Sequence, residues 1–230
     1  MSNPWFDTLG VFDLETTGID VETSRVVSAH VGVLNAEGDL VESWNWLADP
    51  GVEIPVQASA VHGITTERAR AEGRPAADVI AEIVAVLTSL FDRGLAVTIY
   101  NAPYDLSLLH FEALRYGLEP LAEPAPIVDP LVLDRVVDRY RKGKRTLEAA
   151  AAVYGIDLTD AHDASADAVA AGRIAQAMAR KHPEQLAIES TLLHAQQIAW
   201  CAEQSADFQD YMRRTHNPDY VASGLWPIRR

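Results

Sequence analysis

"VFDLETTGID", residues 11–20, places two carboxylates two positions apart in an otherwise apolar run. Val11, Phe12 and Leu14 read as a buried strand with Asp13 and Glu15 set inside it. Positions i and i+2 of a strand share a face, so both acids emerge side by side. Two ionised carboxylates held that close raise each other's pKa unless something positive lies between them. The stretch therefore asks for a cation. Hard oxygen donors suit Mg2+ or Mn2+, ions held by few carboxylates together with water and substrate phosphate. An acid pair on a strand is a common pattern by itself, so this reading needs further acids from elsewhere in the chain.

Two further acids stand in suitable places. "LAVTIY" (95–100) reads as a central strand, and Asn101 can cap the helix that follows it, with Pro103 in the first turn and Gly117 at the end. Asp105, in "TIYNAPYD", falls in that first turn, where an acid can also serve merely as a partner of the helix dipole. Asp167, in "DAHDASADA", lies near the start of an alanine-rich helix over 163–181, with His162 on the loop just ahead of it.

The surrounding chain gives these acids a scaffold. "SRVVSAHVGVLNAEGDLVESWNWLADP" reads as a hairpin turning at Asn35–Gly38. Short helical pieces follow around Gly63, and a longer helix runs from Pro75 to about Asp92, its apolar positions Val79, Ile83, Val86, Leu87 and Leu90 in helical period. "APIVDP" (125–130) reads as a last short strand ahead of helices near 131–140 and 146–154. Three strands followed by alternating helix and strand imply an α/β fold with a mixed sheet. Trp44 and Trp46, on one face of a strand, read as core, and His30 as structural.

Composition bounds the rest. The chain has 230 residues, 48% hydrophobic and 23% charged, ordinary for a globular protein with a sizeable core. The single Cys201 excludes an intrachain disulfide and any multi-cysteine zinc site. No signal peptide and no apolar run of about 20 residues is apparent, so a cytoplasmic protein without a membrane partner is expected. The net charge of −14 opposes a polyanionic partner in general, but the charge is uneven. In "RVVDRYRKGKR" (135–145) six basic residues face only Asp138, either as a solvated helix end or as a phosphate-backbone contact.

The ordered set "FDLETTG", "NAPYD" and "HDASAD" resembles the three motifs of the DEDDh-type 3′–5′ exonucleases, the DnaQ-like group that includes the proofreading epsilon subunit of bacterial DNA polymerase III. The resemblance covers roughly residues 7–181. It implies an RNase H-like fold: a mixed five-stranded sheet flanked by helices, as a catalytic domain over 1–182 with a C-terminal helical extension and tail over 183–230. It implies that Asp13, Glu15, Asp105 and Asp167 hold two divalent cations, Mg2+ or Mn2+, and that His162 is the general base. Asp13 would be shared by the two ions. Glu15 and Asp167 would complete the site beside the attacking water, and Asp105 the site near the leaving group.

Substrate contacts implied in the same way are Thr16, Thr17, Asn101, Tyr104 and His62 of "AVHGIT", where His62 is alternatively a turn residue and Asn101 alternatively only a cap. Tyr100 departs from the histidine common in the group, and Tyr104 from phenylalanine. The implied activity is hydrolysis at 3′ ends of single-stranded DNA to release 5′-mononucleotides. The alternatives are a 3′–5′ exoribonuclease or oligonucleotide nuclease, and a non-catalytic polymerase-accessory module that binds nucleic acid. Beyond residue 183 the spacing of Leu192, Ala195, Ala199, Ala202, Ala206, Phe208 and Tyr211 predicts a helical packing stripe. It would face the catalytic domain, a second copy in a homodimer, or a DNA polymerase, and Trp226 of "GLWPIRR" would fill a groove.

Overall fold

In the computed structural model, which describes residues 4–158 and 163–230, the opening stretch forms strand β1 (Leu9–Thr16). Its alternation sends Phe12 and Leu14 into one core and Leu9 and Val11 into another, so Asp13 and Glu15 continue the Leu9–Val11 side. β2 (Val26–Leu34) and β3 (Leu40–Asp49) form the expected antiparallel hairpin, β2 lying against β1. β5 (Val97–Thr98) and β6 (Ile127–Val128) then add in parallel on the far side of β1.

The sheet order is β4-β3-β2-β1-β5-β6, a mixed sheet of six strands where five were expected. The additional strand, β4 (Arg74–Pro75), pairs with β3 at the outer edge. Two residues carry no alternation of their own, and the pairing is set by the neighbouring backbone: a Cβ on Gly73 would lie 2.5 Å from the Asp49 nitrogen. Sequence periodicity has nothing to read in so short an element.

Helices cover both faces. α1 (Val56–His62) and α2 (Thr66–Glu72) flank Gly63, whose φ of +74° ends α1 in the left-handed region that glycine adopts freely. α3 (Ala76–Asp92) and α4 (Ala102–Arg115) pack on the Phe12–Leu14 face, burying Ile80, Ile83, Leu87, Leu106 and Leu109. Each such side chain contributes about 1.5–3 kcal/mol of burial. α5 (Pro130–Val137) and α6 (Leu147–Tyr154) lead to α7 (Ala164–Lys181) on the opposite face. Gly172 sets how closely α7 approaches, since a Cβ there would lie 2.5 Å from Val11 Cγ1 and 2.6 Å from Leu34 Cδ1. Close approach at Gly172 fixes the first turn of α7, five residues upstream, over the end of β1. Among the described residues no helix is long and apolar enough to cross a membrane.

After α8 (Pro183–Leu186), α9 (Ser190–Thr215) lies along β6 and α5, and the tail returns to the domain. The predicted stripe does not make this contact: Leu192, Phe208 and Tyr211 are about half exposed, and the alanines of the series face solvent. Leu193 and Gln197 are buried instead. The reason is polar. β6 leaves backbone groups open, and α9 answers them with side chains: Ile127 N–H donates to His194 Nδ1 (3.0 Å), Asp129 N–H to Gln197 Oε1 (2.7 Å), and Gln197 Nε2 to the Ile127 carbonyl (2.9 Å). A search for apolar period passes over a helix face chosen by amide chemistry. Trp226 tucks into this chain's own core, 4.9 Å from the His194 ring.

Candidate active site

At the carboxyl end of β1 the ladder with β2 breaks in a bulge between Glu15 and Thr16. Asp13 sits opposite His30 and Glu15 opposite Ser28. Thr17 then pairs with Arg25, its N–H donating to the Arg25 carbonyl and its Oγ1 accepting the Arg25 N–H at 2.9 Å. α7 brings Asp167 over this end. Ligand oxygens of Asp13, Glu15 and Asp167 lie within 4.8 Å of one another. The sequence separates these three acids by up to 154 positions, and the fold gathers them at one spot.

Asp105 enters from the other side of the sheet. It is almost fully buried in the first turn of α4, and its Oδ1 accepts the Leu14 N–H at 3.1 Å. That bond ties α4 to the strand residue between Asp13 and Glu15. Asp105 lies outside the three-acid group, yet its charge is felt there: burial first, then Asp105, Glu15 and Asp167 push the Asp13 carboxyl well above the usual carboxylate range. Burial, followed by the charges of Asp167 and Asp163, lifts Glu15 to about 8. Asp105 is raised chiefly by burial, against the pull of its backbone hydrogen bonds.

No lysine or arginine among the described residues forms an ion pair with Asp13, Glu15 or Asp105. His30, across the ladder from Asp13, does not supply the charge either. It is fully buried, its Nδ1 lies 2.8 Å from Asn45 Oδ1, and burial lowers its pKa. Three clustered, half-buried carboxylates with oxygen-only chemistry fit a divalent cation of the Mg2+ class.

Residues 11–175 match the RNase_T exonuclease family. This chain belongs to that family. The chain is 26% identical over 168 residues to the PolC-type DNA polymerase III of Streptococcus thermophilus, covering 73% of this chain and 11% of the relative. It is 33% identical over 167 residues to a DNA polymerase III subunit epsilon-like protein of Rhodobacter capsulatus, covering 71% and 22% respectively. The chain thus spans between about a tenth and about a fifth of the length of these curated relatives. Its fold is that of E. coli exonuclease I, solved in complex with a dT13 oligonucleotide, with a TM-score of 0.66 at 21% identity over 77% of this chain and 42% of that one. The resemblance read from the three acidic motifs agrees with this assignment.

The other expected site residues are placed as follows. The Thr16 and Tyr104 hydroxyls lie 2.5 Å apart and both reach the Gly18 carbonyl, at 2.9 and 2.6 Å, so they knit the loop after β1 to α4. His62 ends α1 and its Nδ1 accepts the Ile64 N–H at 3.2 Å, the turn arrangement named as the alternative to a substrate contact. His162 lies outside the described residues. Asn101 departs from expectation. It starts α4 with φ +62° and its side chain makes no cap bond. Asp129 caps that helix from the end of β6, Oδ1 accepting Asn101 N–H at 2.9 Å and Oδ2 accepting Ala102 N–H at 3.0 Å. A distant carboxylate displaces the local amide, and asparagine is among the few side chains that tolerate the left-handed backbone this requires.

Two acids of consequence went unread. Asp129 also caps α5 through Leu131 N–H, and the Asp-Pro pair at the head of an apolar helix is the signal that marks it. Asp163 caps α7, accepting Ser165 and Ala166 N–H at 3.0 and 3.2 Å, while its charge raises both Asp13 and Glu15.

Proposed function

We propose that this chain is the catalytic part of a divalent-metal-dependent 3′–5′ exonuclease that acts on single-stranded DNA ends and releases 5′-mononucleotides. The observation that carries the reading is the meeting of Asp13, Glu15 and Asp167 within 4.8 Å in a member of an exonuclease family. Asp13, Glu15 and Asp167 would hold one cation, and Asp105 with Asp13 a second, as Mg2+ or Mn2+. When bound, such ions offset the negative charge that develops on the attacking and leaving oxygens of a phosphodiester.

The remaining roles fall to the chain's own groups. His162 takes the proton of the attacking water. A histidine of ordinary pKa near ~6.5 is largely neutral at physiological pH and able to accept it. Thr16, Thr17 and Tyr104 shape the loop after β1, where the terminal sugar and base would lie, and His62 and Asn101 would add further contacts to them. The Asn101 side chain is free of capping duty, which favours a substrate contact. The dT13 complex of exonuclease I supports a single strand as substrate, and the PolC and epsilon-like relatives support a DNA polymerase as neighbour.

The test is digestion of 5′-labelled single-stranded DNA with Mg2+ or Mn2+. A ladder that shortens from the 3′ end and stops on adding chelator is expected. His162→Ala should keep Mn2+ binding by calorimetry and lose roughly 10²–10⁴-fold in turnover. No shortening under any metal condition would sink the reading, and faster digestion of matched RNA would replace DNA as the substrate.

A further inference from the structure

A groove of about 850 Å³ runs between α5, α9 and the C-terminal tail, and Asn101, at the start of the Asp105 helix, forms part of its wall. Arg135 and Arg139 line it from α5 and the turn beyond, and Arg229 from the tail. Trp200, Phe208 and Tyr220 add aromatic surface, with Phe208 about half exposed and set edge-on to Tyr220 at 5.7 Å. On a protein of net charge −14 this is an unusual concentration of cations beside a track of rings.

The basic run 135–145 divides into two parts with different tasks. Arg141 and Arg145 are nearly buried and pair with the buried Asp134, and Arg145 also donates to the Asp134 and Asp138 carbonyls. Those two hold the turn in place, and the Tyr100 hydroxyl fastens it to the end of β5 by donating to the Arg145 carbonyl at 2.8 Å. Arg135 and Arg139 are exposed. Arg135 forms no ion pair among the described residues, and Arg139 meets only Asp207 on α9, at 3.0 Å with both side chains about two-thirds exposed. An ion pair so exposed is weak, so an arriving phosphate can displace Asp207.

Resting on the exonuclease reading, we propose that this groove holds the single strand upstream of its 3′ end. Arg135 and Arg139 contact backbone phosphates, and Phe208 and Tyr220 offer stacking faces to bases. Sequence-independent strand binding combines these two elements, a cationic track and ring faces that accept any base. The surplus negative charge elsewhere repels a strand from other approaches, so the groove also selects the direction of entry. α9 and the tail, which form one wall, lie beyond the residues that match the family, so this contact belongs to the extension.

The experiment uses the full chain in chelator, where no turnover occurs, and follows fluorescence anisotropy of a labelled single strand of about twelve nucleotides, within the range one such site spans. The double variant Arg135→Glu, Arg139→Glu should weaken binding about tenfold or more and flatten the salt dependence by about 0.7 per lost contact. Asp207→Asn frees Arg139 and should tighten binding severalfold, a gain that misfolding cannot produce. With metal restored, the double variant should lose more rate on the twelve-nucleotide strand than on a trinucleotide. Unchanged affinity and salt slope in both variants would overturn the inference while leaving the exonuclease reading intact. Equal binding of an acidic polypeptide through the same arginines would overturn it too. Failure of the unaltered chain to digest any strand would instead strike the exonuclease reading, and the anisotropy would still decide the groove.

Discussion

Buried acids occur in two settings around the carboxyl ends of β1, β5 and β6, and the two settings differ in what answers the charge. Asp129 accepts N–H groups from Asn101, Ala102 and Leu131 and from the Trp226 indole, so both of its oxygens are engaged. Asp134, fully buried, meets the guanidinium groups of Arg141 and Arg145 and the Tyr154 hydroxyl. Asp13 and Glu15 sit nearby with other carboxylates as their neighbours, and their pKa values rise accordingly. Desolvating a charge is costly in each case. Where the protein supplies the partner, the acid organises structure: Asp129 starts α4 and α5, and Asp134 anchors the basic turn. Where the described residues supply no cationic partner, as at Asp13 and Glu15, the acids leave a place for a cation from solution.

Exchanging acid for amide at one site of each kind tests that contrast. Asp13→Asn is expected to lower turnover roughly 10²–10³-fold, a loss typical of removing one electrostatic element of a site. The metal-free variant should nevertheless melt no lower than the parent, because a repelling charge has gone. A lower melting temperature with turnover retained would reverse the assignment. Asp134→Asn should do the opposite. It strands two nearly buried arginines and should cost about 3–5 kcal/mol in chemical denaturation, while turnover on a trinucleotide per folded molecule stays within a few-fold of the parent.

A pH series sharpens the comparison. The folded pKa of Glu15 stands at about 8 against an ordinary 4.5, so the folded state holds a proton that the unfolded state has released. In chelator, its stabilising contribution is complete below about 4.5 and is lost as pH climbs through about 8. Denaturant midpoints should therefore fall across that window, more steeply for the parent than for Glu15→Gln. Saturating Mn2+ should remove the fall, since bound cation displaces the proton. Parallel curves for parent and variant would exclude Glu15 as the source. The smallest effect belongs to Trp226→Phe, which keeps the ring packing and removes one 3.3 Å bond to Asp129, for about 1 kcal/mol in the same assay.

What the sequence disclosed follows from which interactions are local. The β1 acid pair, the hairpin and the helices flanking Gly63 each announce themselves within a few residues, through period two, turn glycines and caps. The ordering of three short motifs carried the fold class, because the acids have meaning only as a set. Long-range polar contacts were silent. Asp129 lies 28 positions from the Asn101 N–H it binds, and Gln197 lies 70 from the Ile127 carbonyl, so no local pattern links either pair. The α9 stripe misled for the same reason: its buried face is defined by what β6 lacks.

The arrangement of His194 and Gln197 along β6 has a consequence for assembly. Those side chains already occupy Ile127 N–H, Asp129 N–H and the Ile127 carbonyl, groups through which another copy would have to lengthen the sheet. At the opposite margin stands a two-residue strand ending in Pro75, which has no N–H to offer. Strand addition along β6 is thereby discouraged, and copies that associate at the β6 margin must do so through side-chain surfaces.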